Sequence, residues 1–423
     1  MTTVSGRAIT SLFRTWAPTA LGSSMLAWEI PLVAALVARM QQGAEGLAAL
    51  GIALSILFVL NSPALALTTL VVAKGDPRAR RPLFRHAVVT GVVGCALIMV
   101  MPMLLPLTAL GSDDVRDSVR GCLLSLGTVP LAVALRRYLH GCLIQEGRTR
   151  PIALATVVRI CCTIVAGLVL WHTSLAGATA GGLTLTCGAW GETALLAVMR
   201  TRTPVDGQAR WGRRVLVMHA QLASSILLNM SPRLITTIGI VGASDELPSL
   251  IVWPAMFSLM ALGTVPLTDL DSVGASFLKK GGDRRILRRF CLFLSAAAAA
   301  LFAVIAVTPL GRLYLVDFTH VPPGPASLGI DWLWGLACAP ALWAVRGYLR
   351  ALAIAEDASR LLPWAAGIHL LALTAFSLVF PMSGLPGVAC ASLAVLSALC
   401  IEILFLAPKT LYRLQLTGIR SAQ

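Results

Sequence analysis

Apolar runs of about 20 residues recur along the whole chain, and this feature most constrains its fold. Each run is long enough for a helix to cross about 30 Å of hydrocarbon. Only α-helices and closed β-barrels satisfy their backbone in lipid, and the runs lack the period-two alternation of barrel strands. The sequence therefore predicts an all-α polytopic membrane protein. The twelve predicted helices cover residues 14–40, 46–73, 83–110, 116–145, 151–172, 176–199, 212–240, 247–272, 285–309, 328–356, 361–381 and 386–409.

The charged residues are few and unevenly distributed. They make up 13% of the chain, whereas soluble domains usually contain about 25%. Most lysines and arginines fall in alternate loops, which places those loops and both termini in the cytoplasm by the positive-inside rule. This distribution argues against nucleic acid as the partner of the net charge of +15 and favours anionic lipid headgroups. Because the loops are short, we expect a multi-pass protein of a bacterial inner membrane.

The motifs of nucleotide hydrolysis, proteolysis and metal binding do not occur in the sequence. It has no GxxxxGK[ST], HExxH or GxSxG pattern and no cysteine–histidine cluster. The ten cysteines lie inside apolar runs, where they are expected to act as small buried hydrophobic residues. The sequence therefore predicts a protein that is not an enzyme, with no catalytic residues, no cofactor and no metal.

The second half of the chain repeats the first. At an offset of 210 residues, the matching pairs are Pro130 with Pro340, Arg136 with Arg346, Tyr138 with Tyr348, Glu146 with Glu356, Gly177 with Gly387 and Glu192 with Glu402. Six helices per repeat is an even number, so both halves enter the membrane in the same direction. We predict two parallel six-helix lobes, 1–205 and 206–423. A central cavity shaped like an inverted V is expected to hold the substrate between them near the membrane midplane.

Helices 1 and 7 each have a charged residue beside a proline near mid-membrane. Glu29 precedes Pro31, and Arg233 follows Pro232. Paired prolines that interrupt helices at matching positions point to a transport path. A charge at this depth costs about 2.5–3.5 kcal/mol and needs a partner or a water-filled cavity. We expect Glu29 to bind a proton, cation or substrate and Arg233 to bind an anionic substrate, with Asn229 as a neutral hydrogen-bonding group. The alternatives are a Glu29–Arg233 ion pair that opens for substrate and a static structural pair. For Asn229 the alternative is a hydrogen bond that joins neighbouring helices.

Helices 5 and 6 and their repeat mates have a second set of charges. Arg159 and Glu192 share a depth of about 12 Å from the cytoplasmic ends of their helices. Their counterparts at offset 210 are His369 and Glu402. We interpret both as ion pairs that hold neighbouring helices together within a lobe. Because histidine changes its charge near neutral pH, His369 and Glu402 are also candidates for proton coupling.

Further polar residues are predicted near the cytoplasmic ends of the helices. Arg136 and Arg346 occupy matching positions and, with Tyr138 and Tyr348, are candidates for a basic lining that attracts and binds anionic substrate. The alternative is that both arginines extend to the inner headgroup region. Asp269 closes helix 8 and either forms a gate salt bridge or lies in solvent.

Several short segments resemble one superfamily of membrane transporters. They are PTALGSSMLAWEIP from Pro18 to Pro31, NMSPRLIT from Asn229 to Thr236, PLTDLDSVGASF from Pro266 to Phe277, YLHGCLI from Tyr138 to Ile144 and AVRGYL from Ala344 to Leu349. With two parallel six-helix halves, they resemble the superfamily of the multidrug and toxic compound extrusion (MATE) transporters and the lipid-linked oligosaccharide flippases, and within it the progressive ankylosis family. The resemblance implies export of a small anion, such as a di- or tricarboxylate, pyrophosphate or a nucleotide. Cation-coupled drug exporters of this superfamily often have carboxylates in helices 7 and 8. The presence of Arg233 in helix 7 instead favours an anionic substrate over sodium coupling at that lobe.

Together these features predict a secondary active transporter. Our leading hypothesis is an antiporter that exports a small organic or phosphorylated anion by rocking of two lobes, with H+ or Na+ as a possible coupling ion. A multidrug exporter of cationic compounds coupled to protons or sodium is an alternative, although an aromatic content of 6% weighs against it. The other alternative is a flippase for lipid-linked precursors or a non-transporting membrane scaffold.

Overall fold

The computed structural model describes residues 2–73, 80–107, 113–146, 148, 150–200, 212–268, 270–279, 281–356, 358 and 361–420. These residues form helices joined by short turns, with no β-strand among them. The α-helices of the described ranges are α1 Thr2–Ala27, α2 Glu29–Ala38, α3 Gly43–Leu60, α4 Ser62–Ala73, α5 Arg80–Leu104, α6 Asp113–Ser125, α7 Val129–Gln145, α8 Arg150–Trp171, α9 Gly177–Met199, α10 Arg213–Ile240, α11 Glu246–Thr264, α12 Leu270–Lys279, α13 Arg284–Val307, α14 Pro309–Arg312, α15 Pro323–Leu336, α16 Cys338–Ala355, α17 Leu361–Val379 and α18 Gly387–Arg420.

Most predicted spans are long and apolar enough to cross a membrane. Within the described chain eight helical segments meet this condition, and the pair α6–α7, bent by 41°, makes a ninth. The eight are Gly43–Val72, Arg80–Leu104, Arg150–Trp171, Glu246–Leu278, Arg284–Val307, Pro323–Ala355, Leu361–Ser383 and Gly387–Pro408. The other predicted spans are also helical, as α1–α2, α9 and α10, but fall short in length or apolarity. The predicted all-α membrane architecture is therefore confirmed.

Prolines coincide with several interruptions of the spans. A proline lacks a backbone N–H and its ring clashes with the carbonyl four residues earlier, which disfavours a continuous helix. Pro31 lies three residues after the break at Trp28 between α1 and α2, and Pro340 lies three residues after the break at Ala337 between α15 and α16. Pro232, the predicted repeat mate of Pro31, lies instead inside the continuous helix α10. The expected interruption is thus present in helix 1, whereas helix 7 stays continuous.

The internal repeat is visible in backbone contacts as well as in sequence. The N–H of Gly177, the first residue of α9, donates to the carbonyl of Gln41 at 3.0 Å. The N–H of Gly387, the first residue of α18, donates to the carbonyl of Ser244 at 3.0 Å. The last helix of each half therefore begins with the same contact to an earlier loop, and the predicted pairing of the two glycines holds in the structure.

Packing divides the chain into two compact units that differ from the predicted lobe boundaries. Unit 1 comprises Met1–Pro31 and Ile238–Gln423, and unit 2 comprises Leu32–Thr237. Helix α1 belongs to unit 1 because its apolar side chains pack on the C-terminal helices, and the Trp16 indole N–H donates to the Pro266 carbonyl at 2.9 Å. Most of α10 belongs to unit 2. The first helix of each sequence repeat therefore packs with helices of the other repeat.

Small residues allow the helices of unit 2 to approach closely. Gly182 of α9 faces α6, and a Cβ placed on it would lie 1.9 Å from the Oγ atom of Ser125 and 3.0 Å from the carbonyl oxygen of Cys122. An alanine here would force the Ser125 hydroxyl to rotate away and would press on the backbone of α6 at Cys122. Close backbone approach through small residues is the usual way in which membrane helices associate, because lipid supplies no hydrophobic driving force between them.

Candidate functional site

A buried carboxylate on α9 gathers three basic side chains within unit 2. The Oε2 atom of Glu192 lies 2.6 Å from Arg136 Nη1 and 3.2 Å from Arg159 Nη1, and its Oε1 atom lies 3.5 Å from His140 Nε2. The Glu192 side chain is 1% exposed, and none of the three basic side chains is more than 12% exposed. We call these four residues the first carboxylate cluster. It connects α7, α8 and α9.

A matching arrangement surrounds the carboxylate of α18 within unit 1. Glu402, whose side chain is fully buried, lies 2.7 Å from Arg346, 3.2 Å from His369 and 3.6 Å from Arg350. Arg350 also lies 3.3 Å from a second carboxylate, Asp271 of α12. We call these five residues the second carboxylate cluster. It connects α12, α16, α17 and α18.

The two clusters occupy equivalent positions of the repeat, with one exchange of residue types. At an offset of 210 residues, His140 corresponds to Arg350, and Arg159 corresponds to His369. Both clusters therefore keep two arginines and one histidine around a glutamate, but the histidine lies on a different helix in each. With both histidines neutral, the first cluster has a formal charge of +1, whereas Asp271 brings the second to zero.

The structure brings both predicted ion pairs together and adds Arg136 and His140 to the first and Arg346 and Arg350 to the second. Arg136 and Arg346 were assigned from sequence to a lining that meets substrate. In the structure each forms the shortest contact to the buried glutamate of its cluster, so its charge is balanced within its own unit. Removing one partner of a buried ion pair costs about 3–5 kcal/mol, since the other charge is left buried. This geometry favours a structural role for the two arginines.

A second repeated ion pair joins helix ends. Arg80, the first residue of α5, lies 2.9 Å from Glu146 at the end of α7. Its counterparts in the other half, Arg284 at the start of α13 and Glu356 at the end of α16, form the same pair. Each pair joins the third and fourth helices of its half, which restrains the spacing of these helix ends.

The two tyrosines that were expected to bind substrate also have structural contacts. The hydroxyl of Tyr138, a fully buried residue, donates to the Arg80 carbonyl at 3.0 Å, and the guanidinium of Arg200 lies 5.5 Å from the centre of its ring. Tyr348 is partly buried and packs against two apolar clusters of unit 1. The geometry therefore favours a packing role for both residues.

Glu29 occupies a break in a membrane helix. It is the first residue of α2, directly after the turn at Trp28, and only 3% of its surface is exposed. The Trp28 ring packs edge-on against Phe318, with ring centres 6.3 Å apart. Glu29 belongs to unit 1, three residues before the chain enters unit 2 at Leu32. A buried carboxylate at a helix break has fewer backbone restraints than one inside a continuous helix.

Arg233 is buried in the middle of α10 within unit 2. It is 7% exposed, and its guanidinium carbon lies 5.4 Å from the centre of the Phe58 ring. Such a cation–π contact stabilises a charge without neutralising it. Thr237 fixes the same helix face, since its hydroxyl donates to the Arg233 carbonyl at 2.8 Å and lies 3.2 Å from Ser55 Oγ. Asn229, one turn earlier, is exposed, and its amide donates to its own helix.

A histidine pair that sequence reasoning missed links α10 to α4 and α5. His219 Nε2 lies 2.8 Å from the Pro63 carbonyl, and His219 Nδ1 lies 2.9 Å from His86 Nε2. The carbonyl can only accept, so His219 Nε2 is the donor, and in a neutral His219 the Nδ1 atom accepts from His86 Nε2. The signal in the sequence was a histidine inside each of two apolar runs. This pair, with the contacts of Arg233, explains why most of α10 packs in unit 2.

A recess runs along the first turns of α10. It has a volume of about 510 Å³ and is lined by Arg213, Val217, Met218 and Gln221, which share one face of the helix. Asp269, the predicted gate residue, lies outside the described residues.

Comparisons with known proteins agree with this architecture. No protein-family model and no curated protein matches the sequence. A multidrug resistance MATE transporter of the MOP superfamily, solved facing inward, is similar over 94% of this chain and 99% of its own, with 14% identity and a TM-score of 0.70. A MOP superfamily transporter from Pyrococcus furiosus is similar over 98% and 97%, with 14% identity and a TM-score of 0.59. The lipid II flippase MurJ is similar over 93% and 86%, with 13% identity and a TM-score of 0.63.

At these identities the similarity establishes fold. It extends over nearly the whole chain, as expected for two repeats without an inserted domain. This membrane protein therefore has the fold of the MATE transporters of the MOP superfamily, as its sequence resemblance predicted.

Proposed function

We propose that this protein is a secondary active transporter that exports a small organic or phosphorylated anion across the cell membrane. Its fold, which matches a MATE transporter over 94% of the chain, supports transport. The buried Arg233 on α10 is the observation that carries the choice of an anion. Ionisable residues inside membrane helices usually lie on substrate or ion pathways, and a guanidinium presents paired donors that suit carboxylate and phosphate.

One of the solved structures also bears on the charge of the substrate. The Pyrococcus furiosus transporter has a binding pocket of reverse polarity, which suggests a different function for that protein. Pocket polarity can thus differ among proteins of this fold. Arg213, which lines the recess along α10, adds a second cation to the helix that contains Arg233.

The proposed transport cycle uses alternating access, in which the halves of the protein rock. The chain passes between the two compact units at residues 31–32 and again at 237–238. The first passage follows the break at Trp28, and Pro31 cannot donate the backbone hydrogen bond that would resist bending there. Hinges of this kind absorb the dihedral changes of domain motion. Because Glu29 lies on the same short segment, protonation of its carboxylate would act directly on the hinge.

Protons are the coupling ion in this proposal, and the second carboxylate cluster is a further proton site besides Glu29. Helix α17, which contains His369, packs against α16, α18 and the 3₁₀ turn Phe380–Ser383 at its own C-terminal end. Among the described residues, the charged groups that surround His369 in the cluster are Arg346, Arg350 and Glu402. Asp271 contacts Arg350. A proton on His369 would raise the cluster from zero to +1. A proton in the first cluster would instead raise a charge that is already +1.

Transport in proteoliposomes tests the substrate class. Vesicles containing the purified chain are supplied with labelled citrate, labelled pyrophosphate or a cationic dye, and we expect movement of at least one anion and none of the dye. Arg233→Gln should lower anion transport at least tenfold, whereas Arg312→Gln, at an exposed position outside the predicted spans, should not. Transport of the dye alone, or equal loss in both variants, would contradict the proposal.

The coupling ion is tested with imposed gradients. A pH gradient should drive anion movement and a sodium gradient should not. The repeat supplies a matched control, because His369→Gln should weaken the dependence on the pH gradient while His140→Gln leaves it unchanged. A sodium-driven reaction, or the same effect of both histidine variants, would refute the assignment of the second cluster.

Flipping of a lipid-linked precursor is a second candidate, supported by the likeness to MurJ at a TM-score of 0.63. The same proteoliposomes distinguish this function from anion export. Movement of a fluorescent lipid-linked pyrophosphate between leaflets, without movement of free pyrophosphate, would favour the flippase.

A further inference from the structure

Two exposed arginine pairs occupy equivalent positions of the repeat. Arg81 and Arg85 lie in the first turns of α5, and Arg285 and Arg289 lie in the first turns of α13, at an offset of 204 residues. All four side chains are exposed. The spacing of four residues places the two guanidinium groups of each pair on the same face of the helix.

The four exposed arginines are separate from the arginines of the ion pairs described above. Arg80 and Arg284 turn inward to Glu146 and Glu356. The outer arginines form no ion pair with any residue in the described part of the chain. For the second pair the nearest carboxylate in sequence is Asp283, which accepts a hydrogen bond from the backbone N–H of Arg285 and thereby caps α13.

An arginine pair of this kind is unfavourable in the isolated protein. Like charges four residues apart on a helix repel each other. Cations in the first turn are also disfavoured by the partial positive charge at a helix N-terminus. The same unfavourable arrangement occurs in both halves, and an anion bound between the two guanidinium groups would relieve both effects.

The position of the pairs on their helices identifies the source of the anion. The helix face that begins with Arg81 and Arg85 continues along α5 as exposed apolar residues, among them Val89 and Val92, which are 58% and 52% exposed. The opposite face of α5 is buried against its neighbours. In a membrane helix an exposed apolar face contacts lipid chains. The arginines therefore lie at the end of a lipid-facing surface, at the level of the headgroups.

The second pair has the same surroundings. On α13 the face that begins with Arg285 and Arg289 continues with Leu292 and Phe293, which are 55% and 65% exposed. Buried residues such as Leu287 occupy the opposite face.

From this juxtaposition we infer that each half of the protein binds one anionic phospholipid, whose headgroup phosphate is held by Arg81 and Arg85 in the first half and by Arg285 and Arg289 in the second. The acyl chains lie along the exposed apolar faces of α5 and α13. Two planar guanidinium groups suit a phosphate because each can donate two parallel hydrogen bonds. A net negative headgroup is preferred because a zwitterionic one brings its own cation to the arginines.

Helix α6 provides a matched control. Arg116 and Arg120 on α6 have the same spacing of four residues, but Asp113 lies 3.2 Å from Arg116 and a further carboxylate, Asp117, lies between them in sequence. This pair is already compensated by acidic neighbours, so it should not need a lipid phosphate.

Native mass spectrometry of the full chain in detergent tests the inference, with phosphatidylglycerol and phosphatidylcholine as probes. We expect the wild-type protein to retain two phosphatidylglycerol molecules with higher affinity than phosphatidylcholine. Arg81→Gln with Arg85→Gln, and separately Arg285→Gln with Arg289→Gln, should each remove one of these sites. The expected weakening is about fivefold for each arginine, as follows from the contribution of a basic residue at an anionic surface.

A control variant on α6 and competition with inorganic phosphate test whether the binding is specific to the two arginine pairs and to a lipid. Arg116→Gln with Arg120→Gln should leave phosphatidylglycerol binding unchanged, and inorganic phosphate should not displace the lipid. Equal loss in the control, an equal effect on phosphatidylcholine, or full displacement by inorganic phosphate would overturn the inference. Five of these six arginines are exposed and Arg116 is half-buried, so folding of every variant is confirmed by gel filtration before binding is measured.

Discussion

Replacing Glu192 with glutamine keeps the shape of the side chain but removes the central negative charge of the first carboxylate cluster. Arg136 and Arg159 contact the same oxygen at 2.6 and 3.2 Å, so their two Nη1 atoms are at most about 5.8 Å apart. At an effective dielectric constant of about 20, two unit charges at this distance repel by about 3 kcal/mol. Loss of one partner of a buried ion pair generally costs about 3–5 kcal/mol. We therefore expect Glu192→Gln to lower the free energy of unfolding by about 3–5 kcal/mol.

The assay is the fraction of protein that stays monodisperse on gel filtration in detergent after heating at a series of temperatures. The matched comparison is Glu402→Gln, whose effect should be smaller because Asp271 still lies 3.3 Å from Arg350 in that cluster. Adding Arg159→Leu to Glu192→Gln should recover part of the loss, since it removes one of the two repelling charges. The reasoning fails if Glu402→Gln is the more destabilising variant, or if the double variant is no more stable than Glu192→Gln.

Two further predictions concern packing and hydrogen bonding, and the same heating assay measures both. Gly182→Ala should destabilise the protein by about 1–3 kcal/mol because the new Cβ would lie 1.9 Å from Ser125 Oγ, whereas Gly367→Ala, with no atom within 4 Å of the new Cβ, should not destabilise it. Tyr138→Phe should lower the free energy of unfolding by about 1 kcal/mol, since it removes the buried hydrogen bond to the Arg80 carbonyl at 3.0 Å. Equal effects of the two alanine substitutions, or no effect of Tyr138→Phe, would contradict these geometries.

The two carboxylate clusters also suggest how the proposed transporter keeps its moving parts rigid. Alternating access requires that the helices of one compact unit move together. Each cluster joins at least three helices of one unit through a single buried glutamate, Glu192 or Glu402. Loss of one contact in a buried network leaves its other polar groups unpaired, which is costly, so such a network opposes sliding of one helix past another. The exchange of histidine and arginine between the repeats leaves this connection intact while changing where a proton can be accepted.

Most of the fold follows from local properties of the sequence. The length and apolarity of the runs determined the helices, since a membrane leaves the backbone few other ways to satisfy its hydrogen bonds. The constant offset of 210 residues determined the repeat and the pairing of Gly177 with Gly387, because such a match requires no knowledge of packing. The proline at position 31 likewise indicated an interrupted first helix.

The sites depended on information that the sequence does not contain. Spacing and depth predicted that Arg159 and Glu192 would meet, but not that Arg136, from another helix, would form the shorter contact. The pairing of His86 with His219, 133 residues apart, was not predicted at all. A charge sequestered in a membrane protein takes whichever partner the packed helices place nearest to it.

The sequence by itself determined that the chain forms membrane helices in two repeated halves with a small number of buried charges. Only the tertiary structure decided that α1 packs with the second half and most of α10 with the first, and hence which charges share a compact unit. The physical reason is that helix formation in lipid depends on each segment alone, whereas side-chain contacts depend on the rotation and depth of every helix at once. These are set by small residues such as Gly182 and by hydrogen bonds such as that of Trp16 to Pro266, which act between segments far apart in the chain.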